Sequence, residues 1–470
     1  MAKKREILNR LLVENYAAEG KSLARVNGKV IFLEQVVPGD VVNVRVTRNK
    51  KDWAEAQVLN IEEYSVDRVQ PFCQHFGVCG GCQWQMLPYE KQLQYKEQQV
   101  RDNLSRIGKV PLPAINPIIG AQKTRYYRNK IEYTFSSKKF LLPNQLHNPN
   151  ISNEESVAGY HAKGFFDKIV DIQTCYLQEE PTNALRIAIK EFAISKGFSF
   201  YDIRNHEGFM RNMQVRLCRT GELMVNIIFG YDDEEKRSSL LEYIQGQFPS
   251  ITTLLYTINT KWNDSMTDLF PQVFSGKGYA IEMLEEFQFK VGPKSFFQTN
   301  TDQAERLYQV TREFAELTGK EIVYDLYCGT GSIGIFVSGK AKKIIGVESI
   351  AEAVHDAREN AALNHIEHAT FFVGDVVDVC NNEFFAANGR PDVIITDPPR
   401  AGMHENLVRK ILEMEAPLLV YVSCNPATQA RDLNWLDEKY EVTKIQPVDM
   451  FPHTHHIENI VQLKLKKISL

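Results

Sequence analysis

"EIVYDLYCGTGSIG", Glu321 to Gly334, is an apolar, β-branched run that stops at a glycine-rich turn. Gly329, Gly331 and Gly334 stand at G-x-G-x-x-G spacing, the turn that leads a strand into a helix in nucleotide-binding α/β domains. By itself this spacing is shared by NAD-binding and S-adenosylmethionine (SAM) domains, and a turn that binds neither can carry it. The rhythm repeats downstream: "KKIIGVES", "ATFFVGD", "PDVIITDPP", "PLLVYVSCNP", "YEVTKIQPVD" and "NIVQLKLKK" read as further parallel-type strands, with helical segments such as "IAEAVHDARENAALN" between most of them. From about residue 300 onward the chain is therefore expected to form a doubly wound α/β domain, whose ligands sit beyond the carboxyl ends of the strands.

Acids at those strand ends separate the cofactors. Asp325 precedes the glycines, Glu348 ends the second strand, Asp375 ends the third and Asp397 opens "DPPR" after the fourth. An acid at the second strand can take ribose hydroxyls, and Asp375 can receive an adenine amino group. Four carboxylates suit a cationic sulfonium better than a pyrophosphate, which favours a helix N-terminus free of acids. Each acid taken singly also reads as a helix cap.

"LLVYVSCNP", Leu418 to Pro426, puts Cys424 at the mouth of the fifth strand, beside the expected methyl donor. Enzymes that methylate exocyclic amines of bases also carry a D/N-P-P turn but need no nucleophile, because the amine lone pair attacks directly. Uracil carbon 5 has no such lone pair. A thiolate added to carbon 6 makes carbon 5 nucleophilic, and a base must then remove the carbon 5 proton. Glu458 in "FPHTHHIENIV", just before the last strand, is the candidate base, expected to fold back over the pocket. His453, His455 and His456 match no familiar metal-ligand spacing.

The 470 residues imply two or three domains. No signal sequence or apolar run of membrane-spanning length is found, so a cytoplasmic location is expected. The net charge of −4 hides an asymmetry: residues 1–130 hold 21 Lys and Arg against 13 Asp and Glu, the remainder 34 against 46. A basic arm for a polyanion joined to an acidic catalytic body fits this pattern, as does ordinary solvated charge. Residues 12–69 read as four or five short strands with a turn at Asn27-Gly28, an OB-like barrel. A helix is expected from about Pro88 to Ile107. Residues 115–290 read as mostly strand with one helix near 182–196.

Cys73, Cys79 and Cys82 form C-x5-C-G-G-C in "FCQHFGVCGGCQWQ". A zinc ribbon would show two C-x2-C knuckles, and one is present. Three clustered thiolates plus a distant fourth, Cys175, suit a [4Fe-4S] cluster, with zinc as the alternative. The Arg-rich "KTRYYRNK", Lys123 to Lys130, reads as a phosphate grip.

These motifs, together with "VPGD", "YRNKIEYTFS", "FFQTN" and "HHIE", resemble in order the RNA uracil-C5 methyltransferases, most closely the 23S rRNA branch. The resemblance covers nearly the whole chain. It implies an N-terminal TRAM barrel (1–70), an iron-sulfur segment (71–112), a central β-rich RNA-binding domain (113–295) and a class I, Rossmann-like SAM methyltransferase domain (296–470). It further implies Cys424 as nucleophile and Glu458 as base. Gln298, Tyr327, Ser332, Glu348, Asp375 and Asp397 would line the SAM and uracil pocket, while Cys73, Cys79, Cys82 and Cys175 would hold the cluster. Members commonly have Gly-Asn where this chain has Gly331-Ser332. The implied partner is RNA, 23S rRNA before tRNA, with no DNA or membrane; the absence of a long coiled-coil pattern points to a monomer. An amino-group base methyltransferase using "DPPR" and a non-catalytic RNA-binding factor are the rival readings.

Overall fold

The computed structural model describes residues 6–467 apart from 143 and 147. At the N-terminus, strands Ile7–Leu12, Asn15–Tyr16, Ser22–Val26, Lys29–Leu33, Val41–Asn49 and Trp53–Glu63 form a six-stranded sheet. Asn27 and Gly28 both take positive φ, 49° and 80°, the geometry of a tight two-residue hairpin. Alternate residues Val42, Val44 and Val46 point inward and meet Ala24, Ile31 and Leu33 in a separate small core.

The central domain is a seven-stranded mixed sheet that includes Lys130–Lys138, Met210–Leu217, Leu223–Phe229 and the exposed edge strand Gln272–Gly276. One face is covered by helices Thr182–Ser195 and Glu234–Gln247. The second of these departs from the single helix expected in this region. It buries only Leu240, Leu241 and Ile244, too few apolar positions to register as a helical period, and it starts where Asp233 accepts a hydrogen bond from the Lys236 backbone N–H.

The C-terminal sheet has seven strands: β1 (Ile322–Leu326), β2 (Lys343–Glu348), β3 (Ala369–Val373), β4 (Val393–Thr396), β5 (Leu418–Ser423), β6 (Tyr440–Val448) and β7 (Glu458–Leu465). Their order is β3-β2-β1-β4-β5-β7-β6. Strands β1 to β5 are parallel, as the sequence led us to expect, but β7 runs antiparallel to both β5 and β6. The reason is length: the segment between Val448 and Glu458 is too short for the crossover that a parallel return demands.

One face of this sheet packs on helices Thr301–Phe314 and Ala351–Leu363 and on the hairpin Ala280–Leu284/Phe287–Val291. The other face packs on helices Glu405–Met414 and Pro426–Leu436, and on Val100 and Leu104 at the end of helix Tyr89–Asn103. That helix buries a polar stripe, Gln92 and Lys96, and each of these side chains reaches the C-terminal domain: Lys96 Nζ donates to Asp449 Oδ1 at 2.5 Å, and Gln92 Oε1 accepts from the His453 N–H at 2.8 Å. Among the described residues no helix is long and apolar enough to cross a membrane.

Candidate active site

Side chains alternate along a strand, so the apolar residues inside a sheet face foretell what emerges at its rim. On the face covered by Thr301–Phe314, Val323 leads to Asp325, Ile344 to Glu348, Ile395 to Asp397, Val420 and Val422 to Cys424, and Ile460 to Glu458. The β5/β7 register ends with Ser423 paired to Asn459, so Cys424 follows β5 where Glu458 begins β7, and the two side chains are near neighbours. Glu458 is thus the first residue of a strand rather than part of a loop folded over the pocket, which differs from the expected placement.

The electrostatics of the rim follow from this convergence. Burial, then Glu458 and Asp397, push the Cys424 thiol up to about 11, while the Arg400 guanidinium pulls it down. Burial raises the Asp397 carboxyl to about 7. Burial and the neighbouring Asp397 hold Glu458 well above the usual carboxylate range, with Arg400 opposing. Asp325 is raised to about 7, chiefly by burial, although it accepts the Gly334 N–H at 2.8 Å. Carboxyls crowded in this way favour a cation among them.

The glycine-rich turn leaves β1 through Tyr327, a non-glycine residue at φ 60°, and enters helix Ser332–Val337 at Gly331, φ 76°. A side chain at Gly331 would also crowd Ala357 and Phe371. Glu348 accepts the Gly329 N–H at 3.2 Å and the Ile350 N–H at 3.0 Å, which fixes its carboxylate beside the turn. Asp375 is exposed and accepts the Val377 N–H at 2.8 Å, so it serves as a helix cap. Ser332 Oγ pairs with Tyr308 Oη at 2.9 Å. Gln298 is buried in the segment between the central and C-terminal domains; its backbone carbonyl accepts from Asn129 Nδ2 at 2.9 Å.

The sequence reading passed over two neighbours, Tyr308 and Arg400, and named a third, His456, without placing it here. Tyr308 lies close enough to Asp325, Asp397 and Glu458 for all three to raise its hydroxyl pKa, but on helix Thr301–Phe314 it reads as one more core aromatic. Arg400 reads as turn charge. The third, His456, is the partner of Arg400: its Nδ1 lies 2.5 Å from Arg400 Nη2, and burial holds the ring's pKa down to about 3, so it stays neutral and can accept. The His455 and His456 rings lie 4.2 Å apart, but the three histidines have separate hydrogen-bond partners. His453 hydrogen-bonds Gln92 and His455 hydrogen-bonds Gln83.

Cys73, Cys79, Cys82 and Cys175 line one cavity of about 350 Å³, together with Arg128, Lys130, Tyr160, Thr299 and Thr454. The Gly81 N–H donates to Cys79 Sγ at 3.4 Å, and Arg128 Nε is buried without a partner. Burial pushes the thiols of Cys79 and Cys82 up to about 12, and the other cysteines of the cavity add to the rise. Among the described residues, no group of three or more His, Cys, Asp or Glu side chains is arranged to hold a single metal ion. The expected phosphate grip divides: Lys123 and Arg125 are exposed, whereas Arg128 and Lys130 face the cavity.

A family model described as tRNA (Uracil-5-)-methyltransferase matches residues 280–466, and one described as TRAM domain matches residues 9–59. A Bacteroides thetaiotaomicron protein described as an uncharacterized RNA methyltransferase is 52% identical over 453 residues, covering 96% of this chain and 100% of its own. One of the same description from Porphyromonas gingivalis is 48% identical, covering 96% of this chain and 98% of its own. The crystal structure of Pyrococcus abyssi tRNA (uracil-54, C5)-methyltransferase with S-adenosyl-L-homocysteine superposes with a TM-score of 0.74 at 27% identity, over 97% of this chain and 100% of that one. With relatives this similar along their whole length, and a family model that spans the sheet carrying Cys424, the chain belongs to the SAM-dependent RNA (uracil-5-)-methyltransferase family.

Proposed function

We propose that this protein methylates carbon 5 of a uridine in 23S rRNA, with Cys424 as nucleophile and Glu458 as general base. The observation that supports the reading is the end of the β5/β7 ladder, where Cys424, the residue after β5, and Glu458, the first of β7, come together near Asp397. Bound SAM supplies an electrophilic methyl group on a cationic sulfonium. Asp325, Glu348 and Asp397 fit that charge, since each lies on the rim and burial raises two of them to about 7, a strain that a bound cation relieves. The Cys424 thiolate adds to uracil carbon 6, and the electron pair displaced onto the ring makes carbon 5 the nucleophile toward the methyl group. Glu458 then takes the carbon 5 proton, the carbon 5–carbon 6 double bond re-forms, and the thiolate leaves. A carboxyl held above its ordinary range is a stronger base for that step. Gln298, Tyr327 and Ser332 are assigned to the walls of the same pocket, and Asp375 to the adenine side.

Cys73, Cys79, Cys82 and Cys175 are proposed to hold a [4Fe-4S] cluster. Their shared cavity and the cations Arg128 and Lys130 on its wall suit an anionic inorganic core. Methyl transfer needs no electron, so the cluster is assigned a structural or RNA-positioning role. The rRNA assignment rests on the branch that the cysteine motif resembles. A tRNA substrate is the second reading, favoured by the full-length likeness to the archaeal tRNA enzyme.

Protein purified anaerobically, incubated with SAM and unmodified rRNA or tRNA, should give 5-methyluridine in one 23S fragment, mapped by mass spectrometry. Cys424→Ala should give none, and Glu458→Gln should accumulate a covalent protein–RNA adduct. Product in tRNA alone would change the substrate, and methylated adenine or guanine that survives Cys424→Ala would overturn the chemistry.

A further inference from the structure

The two most exposed aromatic rings of the central domain, Trp262 and Phe270, stand on a loop held in place by buried polar machinery. Arg211, 1% exposed, gives Nη1 to the carbonyls of Asn259 and Lys261, both at 2.7 Å. Its Nη2 goes to the Asn263 carbonyl and to Asp264 Oδ1, both at 2.8 Å, and its Nε to Asp264 Oδ1 at 3.1 Å. A buried arginine so fully engaged fixes one loop conformation, and at the centre of that loop Trp262 is 77% exposed. Beneath the indole lies His206, parallel within 4° and 4.8 Å from ring to ring. His206 itself adopts φ 59°, a strained conformation imposed by the turn that Asp202 ties together. One indole face is therefore backed by an imidazole and the other is open.

The same loop continues to Phe270, 78% exposed. Lys294 joins this loop to the segment that enters the C-terminal domain, donating to the Thr267 carbonyl at 2.7 Å and lying 5.8 Å from the Phe270 ring. Two residues on is Phe296, 74% exposed, and two further on is Gln298. The segment is pinned between domains by Arg216 Nη2 to the Ser295 carbonyl at 3.3 Å and by Ser295 Oγ to Asp356 at 2.6 Å.

We propose that Trp262, Phe270 and Phe296 form a stacking track for unpaired nucleotides flanking the target uridine, an inference that rests on the RNA-methylating reading. Open flat rings at intervals accept bases of any sequence. Every other exposed residue of the loop 261–270 is polar (Asn263, Asp264, Ser265, Thr267 and Asp268), so the rings do not merge into the contiguous apolar patch that a protein partner would require. The cations Arg211 and Lys261 are already engaged by Asp264 and Asp268, which makes this an unsuitable phosphate grip. The track thus acts through stacking and adds little to salt dependence, in contrast to the basic N-terminal region.

The test measures anisotropy of a fluorescein-labelled single-stranded pyrimidine oligonucleotide, and of a duplex of equal length, with the full-length protein and no SAM. Trp262→Ala and Phe270→Ala should each weaken single-strand binding about fivefold or more, with duplex binding and the salt slope unchanged. Trp262→Tyr should recover most of the affinity, which separates stacking from loop collapse. Unchanged single-strand affinity in both alanine variants, or equal loss on single strand and duplex, would overturn the track. Because SAM is left out, the expected loss in a protein that never methylates uridine would support the track while refuting the methylation reading.

Discussion

A thiol held at about 11 carries little thiolate at neutral pH, and among the charges around Cys424 it is Arg400 that draws it down. Arg400 is in turn oriented by His456, and its carbonyl accepts from Asn425 Nδ2 at 3.0 Å, which ties the "DPPR" turn to the turn after Cys424. Removing that positive charge leaves the thiol higher still, so the thiolate-limited limb of the pH–rate profile should move to higher pH. Arg400→Gln should be several-fold slower near pH 7 and recover towards pH 10, whereas Arg400→Lys should keep much of the low-pH rate; initial rates against pH will show it. A shift of one unit corresponds to about 1.4 kcal/mol. The strand-end positions of Cys424, Asp397 and Glu348 were legible in the sequence because strand ends announce themselves through the apolar runs before them. Arg400 and Tyr308 were not, because their roles depend on what faces them across the cleft, and neither residue type is unusual where it stands.

Helix Tyr89–Asn103 is fastened to the C-terminal domain by an ion pair with no exposed side-chain surface, Lys96 to Asp449. Asp449 also accepts from Tyr89 Oη at 2.7 Å and from the Phe451 N–H at 3.0 Å. Lys96→Ala leaves a buried carboxylate without its cation, so it should cost about 3–5 kcal/mol in denaturant unfolding. The double variant Lys96→Met, Asp449→Leu should recover part of that loss. Among the elements, the seven C-terminal strands could be read from apolar runs alone. The direction of β7 could not be read from periodicity, because parallel and antiparallel strands buried on both faces share one pattern. Helix Glu234–Gln247 was missed for the opposite reason: it lies largely on the surface and carries too weak an apolar stripe.

Across the molecule, the segment His453–His456 is where the parts meet. Its His453 carbonyl accepts from the backbone N–H groups of Gln83, 2.8 Å, and Trp84, 3.0 Å, in the cysteine loop, and Trp84 Nε1 donates back to Gly20 in the N-terminal domain at 3.4 Å. That domain presents Arg45, Arg48, Lys50 and Lys51, all exposed, around the hairpin between Val41–Asn49 and Trp53–Glu63. Replacing Arg48, Lys50 and Lys51 by glutamine should weaken RNA binding uniformly across sequences and reduce the slope of log affinity against log salt by about one for each phosphate left unneutralised. The charge asymmetry announced this surface, but the junction at the histidines was hidden, since hydrogen bonds between segments more than 350 residues apart leave no local signal. The β5/β7 ladder carries a consequence for descent. The separation of the proposed nucleophile and base is a property of the backbone, set by neighbouring strands rather than by the identity of any one apolar side chain in them. Parity is fixed: one residue inserted in either strand would turn its rim residue to the opposite side of the sheet. Lineages of this protein can therefore exchange one apolar residue for another of similar volume here, but an odd-length insertion in β5 or β7 would part the proposed nucleophile from its base.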